Sequence, residues 1–247
     1  ISKEISSEKE EFLYKYDCVA SDNFNIIYSS GTTGLPKGIV QTHRARSHWA
    51  TSNALEMSFN DFSKALTTTA LYSNGTWLMM LPTIFVGGTL FIMKNFDPEI
   101  FVDIVEKEKV THTFLVPPQF GALLELSDLK KRNFSSIKVI LSAGSPLRLD
   151  MKEKILDTLT EQLYELYGFS EGFATMLKPE YQRTKFETVG TPVLGFEIKI
   201  LNENEEECDI GQAGEIAGYG AGMMKEYFNE KQITEELIGK IKEVRLS

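Results

Sequence analysis

With 247 residues, 42% of them hydrophobic, the chain is long enough to bury one large core or two modest ones, and it reads as a folded globular protein. Lys and Arg number 26 against 35 Asp and Glu, a formal net charge of −9. That balance argues against nucleic acid as the main partner, because phosphate-backbone binding needs a basic surface.

Residues 1–22 are charged and serine-containing, which suits a lead-in or linker. Apolar runs then alternate with helix-like segments. "NIIY" is followed by a helix over "HRARSHWATSNALEM", "ALTTT" by a helix over "TWLMMLPTIF", and "TLFIM" by a helix after Pro98. "HTFLV" precedes a helix after Pro118, "IKVILS" a helix over "LDMKEKILDTL", and "QLYELYG" ends the series. Such alternation predicts an α/β fold with a mainly parallel sheet and flanking helices, and with ligand groups at the strand C-termini.

No charge occurs from Ala65 to Met93, a stretch long enough to raise the question of a membrane span. Pro82 and the Gly87-Gly88 pair argue instead for a buried helix, a turn and a buried strand. Cys18 and Cys208 are far apart, so neither a disulfide framework nor a zinc site is indicated, and a reducing, cytoplasmic compartment is expected. His43 and His48 share a predicted helix at a spacing unsuited to a metal, and His112 reads as structural. After Glu171 the texture changes to alternating apolar positions and turn residues, which predicts a small antiparallel β subdomain. "NENEEE" within it reads as a solvated turn. The expected division is therefore 1–22, an α/β unit over 23–172 and a β-rich unit over 173–247.

The chemistry concentrates in "IIYSSGTTGLPKGIVQTH", Ile26 to His43. A loop leaving a strand with unpaired backbone N–H groups and several hydroxyls suits phosphate oxygens, and Lys37 adds a mobile positive charge. The nucleotide loop G-x-x-x-x-G-K-[ST] is not matched, because Pro36 and Gly38 occupy two of its required positions.

"YSSGTTGLPKG" resembles the signature of the adenylate-forming superfamily, which includes acyl- and aryl-CoA synthetases, luciferases and peptide-synthetase adenylation domains. Further segments resemble that family in the same order: "ALYSNG", "LVPPQFGALL", "LSAGSPL", "LYGFSE", "GTPVLGFEIKI" and "GEIAGYGAGMMKEYFN". The resemblance implies the central part of the family's large N-terminal domain. It also implies ATP, magnesium and coenzyme A, with a small-molecule carboxylic acid as the substrate to be activated. No nucleic-acid partner and no membrane span are expected, and the oligomeric state stays open.

By the same resemblance Ser29, Ser30, Gly31, Thr32, Thr33, Gly34 and Lys37 surround the β- and γ-phosphates. Tyr167, with Gly168 beside it, stacks on adenine; Ser170 contacts the α-phosphate; Glu171 helps place magnesium, an ion that prefers oxygen ligands. Lys37, Ser170 and Glu171 are thus the expected catalytic groups, while Gly144, Ser145 and Pro146 line the adenine edge. Taken alone, "YGFSE" also suits a capped turn that starts a helix. Tyr72, Trp77, Phe120 and Phe169 are candidates for an acyl pocket, and equally for plain core.

Departures from the family pattern accompany the match. Ser73 stands near the place of a histidine found in many CoA ligases, and Glu226 replaces a common glycine. "TEELIGKIKEVRLS" lacks the Thr-Gly-Asp whose aspartate grips ribose, and the mobile C-terminal domain with its catalytic lysine is not in the sequence. The expectation is an internal piece of an AMP-forming acyl-CoA synthetase that adenylates poorly or not at all by itself. A peptide-synthetase adenylation domain is the enzyme alternative, although its pocket aspartate and its proline at the place of Phe169 are missing. A non-catalytic nucleotide-binding or interaction module is the alternative from another class.

Overall fold

A computed structural model describes residues 17–29 and 36–244. The first ordered unit is an antiparallel ribbon, β1 (Asn23–Ser29) and β2 (Lys37–Thr42), whose register sets Ser29 opposite Lys37. Helix α1 (His43–Glu56) follows at once, because Thr42 caps it by accepting the Ala45 N–H at 3.2 Å.

The chain then winds the predicted α/β unit. It runs through β3 (Lys64–Thr67), α2 (Asn74–Phe85), β4 (Thr89–Ile92), α3 (Pro98–Glu108), β5 (His112–Leu115), α4 (Pro117–Leu124), β6 (Val139–Ser142), α5 (Leu149–Thr158) and β7 (Leu163–Gly168). Helix α3 shows how local sequence sets a boundary. Asp97 accepts the Ile100 N–H at 2.9 Å, Pro98 begins the first turn, and Lys109 in the left-handed region ends the helix. The helix expected over "TWLMMLPTIF" is present, running through Pro82 to Phe85, and the turn comes at Gly87 as the glycine pair suggested.

Strands β4, β3, β5, β6 and β7 lie side by side in that order, all parallel. The sheet continues past the expected division at residue 172. β8 (Ala174–Leu177) pairs antiparallel with β7, and β9 (Thr191–Pro192) pairs with β8. The predicted antiparallel unit is present as the hairpin β10 (Phe196–Leu201) and β11 (Glu215–Gly220). "NENEEE" forms the exposed turn of that hairpin, as read from its charge. β12 (Glu226–Tyr227) then returns to pair with β2, and helix α6 (Lys231–Val244), which the β-rich expectation did not include, closes the described chain.

Period-two alternation sorts the strand side chains onto two cores. Leu66, Leu115, Ile140 and Leu163 face α3, α4 and α5, where Phe101, Val105, Phe120, Leu123 and Ile155 fill the layer. Ala65, Phe114, Val139 and Leu141 face the other way, toward Trp49 and Met57 at α1, Leu78 and Met79 of α2, and Phe173, Val193 and Phe196. Among the described residues no helix is long and apolar enough to cross a membrane. The uncharged stretch contains α2 and β4, and β4 is a partly exposed edge strand rather than the buried strand expected, because only β3 pairs with it.

Candidate active site

In a parallel sheet the strand C-termini point one way, and a crevice opens where the winding direction reverses. Here that reversal lies between β3 and β5, which are neighbours although α2, β4 and α3 separate them in the chain. A cleft of about 370 Å³ opens above these strand ends. Its walls come from the segment after β3 (Tyr72, Ser73, Asn74, Gly75), from the end of β5 (Phe114, Val116), from Ala143 and Gly144 after β6, and from the turn after β7 (Gly168, Phe169, Ser170). Trp49, Ser52 and Asn53 of α1 and Phe196 of β10 complete it.

The turn after β7 is held from three directions. Gln41 of β2, fully buried, donates its side-chain N–H to the Ser170 carbonyl at 3.2 Å, and the Met224 N–H donates to the Glu171 carbonyl at 2.6 Å. Tyr227 of β12 donates its hydroxyl to Glu171 Oε1 at 2.6 Å. Burial, followed by the hydrogen bond to the Glu171 carboxylate and its charge, raises the Tyr227 pKa well above the usual phenol range, so Tyr227 stays protonated and a donor. Gly172 makes this docking feasible. Its φ of +136° lies in the region that side chains avoid, and a Cβ there would fall 2.5 Å from the Gly222 carbonyl oxygen.

Lys37 lies over the ring of the same tyrosine, its Nζ 5.1 Å from the ring centroid. The expected phosphate lysine and the expected magnesium carboxylate thus share one neighbour, Tyr227. Their meeting follows from β2 pairing with both β1 and β12, a contact that no local pattern encodes.

Ser29, the last residue of β1, sits opposite Lys37 at the mouth of the loop. Ser30, Gly31, Thr32, Thr33 and Gly34 lie outside the described residues. Gly168, Ser170 and Gly144 line the cleft, with Gly144 at φ +91° turning the chain out of β6. Ser145 and Pro146 follow on the exposed surface and do not line the cleft. Tyr167 is 36% exposed at the end of β7 and meets Phe169 edge-on at 5.6 Å, just outside the lining.

Of the four aromatic candidates for an acyl pocket, Tyr72 and Phe169 line the cleft. Phe120 is fully buried in the opposite core layer, and Trp77 packs on Arg46 instead. The actual apolar walls, Phe114, Val116, Phe173 and Phe196, were not singled out in the sequence. Phe114 and Val116 stand two apart at the end of "HTFLV", so strand alternation was the available signal. Phe173 and Phe196 carried none. Among the described residues no three His, Cys, Asp or Glu side chains cluster to hold a metal ion. Glu171 is the carboxylate that the family resemblance would give to magnesium, an ion that often takes one or two protein carboxylates together with phosphate oxygens.

Comparison with known proteins bears on the family and the fold. Residues 2–228 match the family model described as AMP-binding enzyme. The chain is 28% identical to a feruloyl-CoA synthase of an Amycolatopsis species over 217 residues, covering 86% of this chain and 44% of that protein. It is 29% identical to 4-coumarate–CoA ligase 3 of Arabidopsis thaliana over 255 residues, covering 94% and 43%. The solved o-succinylbenzoate coenzyme A synthetase of Bacillus subtilis, in complex with ATP and magnesium, superposes with a TM-score of 0.83 at 26% identity, covering 95% of this chain and 49% of that one. The chain thus spans slightly less than half the length of these relatives.

Proposed function

The chain belongs to the AMP-binding enzyme family, and on that premise we propose that it carries the nucleotide and acyl half-site of an AMP-forming acyl-CoA synthetase. The single observation that supports this reading most is the convergence of Lys37 and Glu171 on Tyr227 beside the turn that bears Ser170.

In the proposed reaction a carboxylate oxygen of the acid attacks the α-phosphorus of ATP. The bond to pyrophosphate breaks and an acyl-adenylate forms. The coenzyme A sulfur, having lost its proton, then attacks the acyl carbon and AMP leaves. The first step must hold two anions together while negative charge grows on the leaving group, so positioned donors supply most of the catalysis. Lys37, Ser29 and the loop over 30–34 hold the β- and γ-phosphates, and Ser170 orients the α-phosphate. Glu171, oriented by Tyr227, would hold magnesium, which would supply neutralisation of phosphate charge. Tyr167 with Gly168 and Gly144 flank the adenine, with Ser145 and Pro146 at its edge, and the apolar walls around Phe114 and Phe173 take the acyl part.

Calorimetric titration with magnesium-ATP and with non-hydrolysable acyl-adenylate mimics tests the reading. The expected result is binding that depends on the acyl group and weakens at least tenfold in Lys37→Ala and in Glu171→Ala, each of which loses charge-assisted contacts. No binding of ATP or of any mimic would overturn it.

A further inference from the structure

Arg46 on α1 is 2% exposed, and no carboxylate pairs with it among the described residues. Its Nε donates to Asn25 Oδ1 at 3.0 Å and its Nη2 to Asn74 Oδ1 at 2.8 Å, while Nη1 is buried without a partner. The rings of Trp49 and Trp77 lie 4.6 and 5.2 Å from the guanidinium carbon. Burial lowers the pKa of Arg46 to about 10, so the group is still charged at neutral pH. A buried cation and buried unpaired donors are both costly, and a ligand oxygen would relieve that cost.

A guanidinium has donors only. It therefore fixes the orientation of each amide it touches, with the oxygen toward Arg46 and the NH₂ group turned away. The Asn74 amide nitrogen is buried and has no partner among the described residues. Asn74 itself lines the cleft, as the first residue of α2, among apolar walls such as Leu78, Phe114 and Phe173 and a few other polar residues, Ser52, Asn53, Ser73 and Ser170. A few placed polar groups among apolar walls are the usual way a small-molecule site sets orientation and specificity, and Asn74 is the one whose amide a buried guanidinium orients.

We propose that Asn74, held by Arg46, is a specificity-determining residue that donates to an oxygen on the acyl part of the substrate, so that the cleft prefers carboxylic acids bearing a second oxygen function (oxo, hydroxy or a second carboxylate) to plain hydrocarbon acids. This rests on reading the cleft as the acyl site. Arg46 acts through Asn74 as a positioning residue.

The test uses the full chain and calorimetry with sulfamoyl-adenosine mimics: an acetyl mimic, a hydrocarbon acyl mimic, and a matched series in which one methylene becomes a ketone at successive positions. At one position the oxo mimic is expected to bind about tenfold more tightly than its hydrocarbon twin. In Asn74→Asp an oxygen still accepts from Arg46, but the second atom becomes an acceptor, and the order of the twins should invert. Twins that bind within twofold of each other at every position in the unaltered chain would overturn the proposal, as would a preference that survives in Asn74→Asp. Binding of the acetyl mimic in those cases leaves the nucleotide site standing. Failure of every mimic, the acetyl one included, sinks the nucleotide reading and this inference with it.

Discussion

Tyr227 shows how one hydroxyl can organise a site that three distant segments build. Its proton goes to Glu171 at 2.6 Å, and its ring carries Lys37. Removing the hydroxyl in Tyr227→Phe keeps the ring and deletes only the donor. A hydrogen bond to a half-buried carboxylate contributes about 1–2 kcal/mol, so the midpoint of thermal unfolding should fall by a few degrees. The larger effect is expected on the magnesium proposed at Glu171: a partner that orients a metal-binding carboxylate changes affinity by about tenfold or more. Magnesium-ATP should therefore bind more weakly to the variant, while ATP in the presence of a chelator binds as before. Equal weakening in both conditions would place Tyr227 on the phosphates rather than behind the carboxylate.

At the scale of elements, β5 is tied to the end of α1 through His112. The imidazole is fully buried; its Nε2 donates to the Met57 carbonyl at 3.0 Å, its Nδ1 lies 2.7 Å from the Thr111 hydroxyl, and Phe59 stacks on it at 3.9 Å. Burial is the main cause that lowers its pKa to about 4 from the ordinary 6.5. A depressed histidine pKa means that the unfolded chain binds the extra proton first as pH falls. Its contribution to stability is complete above about pH 6.5 and is lost progressively toward pH 4, to the order of 3 kcal/mol at most. His112→Gln cannot take up that proton, so denaturant unfolding between pH 7 and pH 4 should show a smaller loss of stability in the variant. Parallel pH profiles would show that other groups carry the acid sensitivity. Element boundaries were legible where caps are local, as at Thr42 and Asp97. The end of α2 was legible too, because the apolar run carries the helix through Pro82 and Gly87 turns the chain after it. Helix α6 was missed although Ile233 and Leu237 stand at helical spacing. What they cover, Ile39, Met224 and Tyr227, becomes one patch only when β12 pairs with β2.

For the whole molecule, the cleft gathers residues from α1, β5, β10 and the loops after β3, β6 and β7, so a ligand seated there fastens most of the fold at once. Binding only to the native state adds about 2.7 kcal/mol at a hundredfold excess over Kd. In a chain of this length an acyl-adenylate mimic at that concentration should raise the unfolding midpoint by roughly 5–10 °C in a single cooperative transition. Stabilisation of only part of the chain, seen as two transitions, would mean that the hairpin β10–β11 does not share the site's cooperativity.

The sequence by itself determined the α/β class, the parallel core and the family resemblance, because strand and helix periodicity, caps and a glycine-rich loop are written in consecutive residues. It also marked Lys37 through the chemistry of its loop, and Ser170 and Glu171 only through the family resemblance. Only the tertiary structure decided that Tyr227 joins Lys37 to Glu171, that Phe120 belongs to core while Phe114 walls the cleft, and that Asn74 is held by a buried arginine. Each of those depends on which strands become neighbours and which side of the sheet a side chain faces. Strand pairing is settled by the burial of the whole core, and that free energy is a sum over distant residues which no local stretch contains.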